Sequence, residues 1–175
     1  MPADDPVRSL ALAALDADAQ ARDLLEPGVT PRIAFSDLYR YATDPAFELP
    51  SAVKARLDGD PVAAADLERI IAARPFTYMP RQAAAATDGA VRRETDVAVL
   101  TLTPSRAVPT QTYLGIELAD GNAAGPRQLF ARTGSGAWLR VTLPVFSGGR
   151  IQVLLEAGGD MARALADPET EVYLR

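Results

Sequence analysis

The chain has 175 residues, of which 48% are hydrophobic and 23% charged, carries a net charge of -5, and contains neither histidine nor cysteine. Those two absences remove the Ser-His-Asp triad, the Cys-His dyad, zinc sites built on imidazole or thiolate, and disulfides. The acidic balance, with a pI near 4.8, argues against nucleic acid or an anionic membrane surface as partner, since each calls for a basic face.

The length allows one medium domain or two small ones. The N-terminal Met-Pro-Ala-Asp-Asp-Pro is acidic and lacks a basic leader region. The apolar run Leu10–Leu15 is interrupted by Asp16 and Asp18, and no run approaches the roughly 20 apolar residues that span a bilayer. These features lead us to expect a cytoplasmic protein without a membrane segment.

The first half reads as helical. A helix is expected over Arg8–Glu26, stopped by Pro27-Gly28. A second runs from Ser36, a candidate cap, to Thr43 and is ended by Asp44-Pro45, because the residue before proline avoids the α region. A third covers Ser51–Leu57 and is expected to close at Asp58-Gly59 in a left-handed cap. Asp60 then caps a fourth helix with Pro61 in its first position, running to Arg74 with Ala63, Leu67, Ile70 and Ile71 on one face. The stretch from Pro80 to Gly89 is alanine-rich and of low complexity, and it reads as a linker ending in an Asp-Gly turn.

The second half reads as strands. Over Asp96–Thr103, Ala98, Leu100 and Leu102 face opposite to Val97, Val99 and the threonines; over Thr110–Leu118, Thr112, Leu114, Ile116 and Leu118 face opposite to Tyr113, Gly115 and Glu117. Arg127–Arg132 and Ala137–Leu143 flank a hairpin turn, Thr133-Gly-Ser-Gly136. Arg150–Glu156 follows Gly148-Gly149, Asp160–Ala166 reads as a short helix capped by Asp160, and Glu169–Leu174 closes the chain as a strand. The expected fold is α+β: an α-helical region over 1–79, a linker over 80–95, and an antiparallel β-sandwich or barrel-like domain over 96–175.

Candidate chemistry is sparse. Ser51-Ala-Val-Lys54 matches S-x-x-K, but no second lysine exists to build the K-T-G strand such enzymes use; Ser51 reads as a helix cap and Lys54 as solvated. Asp16-Ala-Asp18 and Asp58-Gly-Asp60 could begin a calcium loop, yet Arg69 stands where an EF-hand needs glutamate. Gly134-Ser-Gly136 lacks the rest of a phosphate loop and reads as a turn. Glu94, Asp96, Glu117, Glu156, Glu169 and Glu171 are available for carboxylate catalysis, but no spacing selects a pair. No catalytic residue, metal or cofactor is therefore expected.

The aromatic residues give a better lead. Phe35, Tyr39, Tyr41, Phe47, Phe76 and Tyr78 crowd the first half, with Arg40 between two tyrosines. Tyrosine and arginine are favoured at protein interfaces, so Tyr39, Arg40, Tyr41 and Phe47 are the expected partner-binding residues. In the second half the aromatic residues fall about one to an element, and Trp138 is expected to be buried.

The stretch from Asp37 to Arg74 resembles the cytoplasmic domain of anti-sigma factors that lack zinc, in its short Leu/Tyr/Ala helix, acidic turn and Ala-rich helix with leucine spacing. That resemblance implies a transcription regulator acting through its N-terminal helices. Such factors usually continue into a membrane helix, for which this sequence offers no candidate. The expected function is a non-catalytic protein-binding adaptor, accessory or regulatory protein whose partner has a basic surface. The alternatives are the anti-sigma-like regulator and a carboxylate-dependent hydrolase or lyase on the β half.

Overall fold

A computed structural model of the chain describes residues 33–81, 85–87, 90–121 and 124–175. The helix expected over Arg8–Glu26, and Asp16-Ala-Asp18 within it, lie outside the described residues. Among the described residues the fold is mixed α and β, with four helices and two antiparallel sheets. No described helix is long and apolar enough to cross a membrane. The chain divides between Ile70 and Ile71 into two compact units.

In the first unit, α1 (Phe35–Thr43) buries Leu38, Tyr41 and Ala42. Its N-cap is Ala34 rather than Ser36, with no side-chain cap bond. Asp44, which precedes proline, leaves the helix in an extended conformation, φ -106° and ψ 109°. Helix α2 (Ser51–Gly59) buries only Leu57, and Gly59 is its last helical residue instead of a left-handed cap. The physical reason lies one residue on: Asp60 precedes Pro61 and is extended, φ -108° and ψ 99°. Its carboxylate accepts from the backbone N–H of Val62 at 3.0 Å and of Ala63 at 3.1 Å, which caps α3 (Pro61–Ala72) as the sequence implied. Helix α3 stops two residues short of Arg74, and Ala63, Leu67, Ile70 and Ile71 are all buried.

The second unit holds strands β1 (Thr77–Met79), β2 (Ala85–Thr87), β3 (Ala90–Glu94), β4 (Ala98–Pro104), β5 (Gln111–Leu118), β6 (Gln128–Arg132), β7 (Trp138–Thr142), β8 (Arg150–Glu156) and β9 (Glu171–Leu174), with helix α4 (Asp160–Ala166) before the last. One sheet runs β1-β9-β6-β7 and the other β2-β3-β4-β5-β8. A single apolar cluster takes Ala98, Leu100, Leu102, Leu114 and Ile116 from the second sheet, Met79, Leu129, Ala131, Val172 and Leu174 from the first, and Ala164 and Leu165 from α4. Ala98, Leu100 and Leu102 of β4 and Leu114, Ile116 and Leu118 of β5 enter it at every second position, in the alternation the sequence displays.

Part of the region read as a linker, Ala85–Thr87 and Ala90–Glu94, is sheet. Strands β2 and β3 pair with each other, and β3 pairs with β4 from Val91↔Leu102 to Glu94↔Val99. Strand β1, assigned by sequence to the helical region, pairs with β9. Strands β2 and β3 are short and carry only Thr87 and Val91 of strong β preference, so pairing rather than propensity forms them. Asp160 does not cap α4; the N-cap is Gly159, and Asp160 sits in the first turn paired with Arg163.

Two turns depend on glycine. Gly136 has φ +92° in the β6–β7 hairpin, where Thr133 N–H donates to Ala137 C=O at 3.0 Å. Gly148 and Gly149, φ +56° and +73°, turn the chain into β8.

Candidate functional site

The outward face of the five-stranded sheet has a definite order. The register sets Arg92, Thr101, Gly115 and Gln152 in one row across β3, β4, β5 and β8. The row on one side is Glu94, Val99, Glu117 and Arg150, and on the other Thr103, Tyr113 and Leu154. Gly115 is the gap in this grid. A Cβ there would stand 2.7 Å from Thr101 Oγ1, so the glycine lets the neighbouring strand's side chain lie across it. Above it opens a depression of about 500 Å³ lined by Thr101, Thr103, Tyr113, Gly115, Arg150, Ile151 and Gln152. It continues into a smaller hollow toward Arg92, Val99 and Glu117.

The charges at this face are paired locally. Arg150 donates to Glu117 Oε1 at 2.5 Å, and that hydrogen bond and charge hold its guanidinium above the ordinary range. Arg92 donates through Nε at 3.2 Å and NH2 at 2.9 Å to Glu94 Oε2. What remains toward solvent is hydroxyl, amide and phenol chemistry beside an aromatic ring. Such a surface can accept a protruding side chain or loop through hydrogen bonds and ring contact.

The residues expected at the interface are spread over different environments. Arg40 is exposed and lies over the Phe47 ring, 4.0 Å from its centroid, a cation–π contact. Tyr39 and Phe47 are half-buried, whereas Tyr41 is only 2% exposed and cannot serve a partner in this conformation. Ser51 and Lys54 are both exposed on α2, away from the desolvation a lysine base requires.

Five of the six carboxylates are exposed, and three of those five pair with arginine. Glu94 and Glu117 hold arginines as described, and Glu169 lies 3.6 Å from Arg81. Glu171 is the most sheltered of those in ion pairs. It accepts from the Tyr78 hydroxyl at 3.2 Å and stands 3.7 Å from Arg81 and 3.8 Å from Arg132. Partial burial, and then the Glu171 charge, raise the Tyr78 phenol above its usual range. Among the described residues no three Asp or Glu side chains converge to hold a metal ion.

Sequence reading missed two residues of consequence. Gly115 carried a legible signal, a glycine inside a strand. Arg93 carried none. It lies on the inward face of β3, 1% exposed, and donates to the backbone carbonyls of Leu165 at 3.3 Å, Thr170 at 2.6 Å and Asp167 at 2.5 Å. It therefore fastens the loop between α4 and β9. Comparison of the chain with protein-family models, with curated proteins and with solved structures finds no match in any of the three.

Proposed function

We propose that this chain is a non-catalytic protein-binding module, an adaptor, accessory or regulatory protein, built as an N-terminal helical region followed by an antiparallel β-sandwich. Its partner docks on the outward face of the five-stranded sheet, over Gly115. The observation that carries this reading is the open depression of about 500 Å³ whose rim combines Tyr113, Arg150, Gln152 and two threonines. Small-molecule sites enclose most of their ligand, whereas this one is a shallow dish on a sheet, suited to a feature projecting from a larger surface. Tyrosine and arginine at such a rim are the residue types that anchor protein interfaces. The net charge of -5 favours a partner with a basic surface through long-range attraction. Tyr39, Arg40 and Phe47 form a second, separate contact surface in this proposal.

Affinity capture from the native host tests it, comparing the tagged wild type with Tyr113→Ala/Gln152→Ala. Loss of hot-spot side chains is expected to weaken the complex by about 2 kcal/mol, roughly thirty-fold, with an unchanged melting temperature. Full retention of the partner by the folded double variant refutes this docking face.

A further inference from the structure

Among the described residues, strand β8 ends the five-stranded sheet and pairs with β5 alone. Its hydrogen bonds reveal which backbone groups face the open side. The N–H and C=O of Arg150 both bond Ser147, at 3.1 Å each. On the other side, Gly149 C=O accepts from Leu118 and Ala157 N–H donates to Thr110. Residues alternate sides along a strand, so Arg150, Gln152, Leu154 and Glu156 turn their backbone groups away from β5. Ser147 occupies those of Arg150, and Gly159 N–H occupies Glu156 C=O at 3.0 Å. The N–H and C=O of Gln152 and of Leu154, and the N–H of Glu156, face outward along this edge.

This edge has charges only at its ends, Arg150 and Glu156. The segment Gln152-Val-Leu-Leu-Glu156 has no proline, glycine or lysine. Leu154 is 51% exposed on the outward face, and inward-facing Ile151, Val153 and Leu155 are only half-buried where Leu114 and Ile116 of β5 are fully buried. Both the backbone and the side chains of β8 are incomplete on the same side.

We infer that a second copy of this chain pairs here, β8 against β8, antiparallel about a two-fold axis at Leu154. In that register Leu154 opposes Leu154 of the second copy, and Gln152 opposes Glu156. The two Leu154 residues exchange both N–H···O bonds. Gln152 C=O accepts from Glu156 N–H, and Gln152 N–H donates to the second lone pair of Glu156 C=O. All five outward groups of each copy are thereby satisfied. A register centred on Val153 instead sets Glu156 of the second copy opposite Arg150, whose N–H and C=O Ser147 already holds, and so leaves Glu156 N–H unpaired, whereas the Leu154 register sets there only Gly158, past the end of β8. The side chains agree with the Leu154 register: leucine meets leucine, the Gln152 amide meets the Glu156 carboxylate, and Val153 meets Leu155 on the inward face. The interface is isologous. It joins two five-stranded sheets into one and sets both depressions on the same face. This pairing does not depend on the proposed function.

Sedimentation of the full chain, with two variants, tests it. Wild type is expected as a dimer at micromolar concentration, and Leu154→Arg, which opposes two like charges, as a monomer with an unchanged circular dichroism spectrum and a melting temperature lowered by the lost association. Leu154→Cys introduces the chain's sole thiol. Directly opposed residues of such a pair lie about 5.5 Å apart between Cα atoms, so a short bifunctional thiol reagent is expected to give a covalent dimer. Gln152→Cys alone, whose opposing residue is Glu156, is expected to give none. A monomeric wild type overturns the inference, as does a dimer that survives Leu154→Arg or folded Leu154→Cys that fails to cross-link.

Discussion

Replacing Arg93 probes the packing of the second unit most sharply. Arg93→Met keeps the apolar stem and removes every donor, stranding the buried carbonyls of Leu165 and Thr170, while the Asp167 carbonyl keeps the Thr170 N–H at 3.1 Å. A buried acceptor without its partner costs about 1–3 kcal/mol, and two are affected. Against this, the variant no longer buries a guanidinium, a penalty of several kcal/mol in its own right. That penalty is visible in Arg93 itself, whose ionisation is pushed down by burial and only partly restored by the charge of Asp167. The balance is an expected net loss of about 3 kcal/mol. Arg93→Lys is expected to restore little, because an ammonium is a point charge and cannot fork toward three diverging carbonyls. Urea unfolding followed by circular dichroism measures the loss, and hydrogen exchange in β9 reports whether the 165–170 loop has loosened. A loss below about 1 kcal/mol, or full rescue by lysine, refutes the clamp.

Three further outcomes are expected. The raised pKa of Tyr78 means that its stabilising contribution is present below its unfolded pKa, about 10, and is lost as pH rises through the folded value; melting temperature should fall less steeply in strong alkali for Tyr78→Phe than for wild type, and identical profiles contradict the shift that burial and the Glu171 charge together produce. Gly149→Ala sets a Cβ 2.5 Å from Gly121 Cα at φ +73°, so thermal melts should show it clearly more destabilised than Gly148→Ala, which meets nothing within 4 Å and carries only the left-handed backbone cost of about 1–2 kcal/mol. Trp138 is 1% exposed, its ring 5.8 Å from that of Tyr173; native emission should be blue-shifted and Trp138→Ala should cost about 3–5 kcal/mol, whereas a water-like emission maximum rejects its burial.

What the sequence disclosed was local and periodic. Alternation in β4 and β5, the Thr133–Gly136 turn and the Asp60-Pro61 helix start each depend on neighbours a few residues away, and each is found. Strand β1 was hidden because three residues carry no period, and β2 and β3 because their Ala- and Arg-rich sequence reads as linker; the partners of β1 and β3 lie in β9 and β4. Arg93 in Ala-Val-Arg-Arg-Glu reads as a solvated charge; its burial depends on carbonyls 72 or more residues later. The aromatic crowding around Phe35–Phe47 was legible as density but not as direction. Tyr41 stands three residues after Leu38 and shares its buried face, while Arg40 turns outward over Phe47. For the candidate site, the sequence set Tyr113, Gly115 and Glu117 on one face, and only the pairing register brought Thr101 and Gln152 beside them.

The docking claim is tested most directly by a photo-reactive phenylalanine analogue in place of Tyr113, expressed in the native host and irradiated there. The same analogue at exposed Ala166, on α4, serves as control. A single discrete protein adduct at position 113, absent at 166, is the predicted result. Adducts at 166 with none at 113 contradict a partner seated over Gly115.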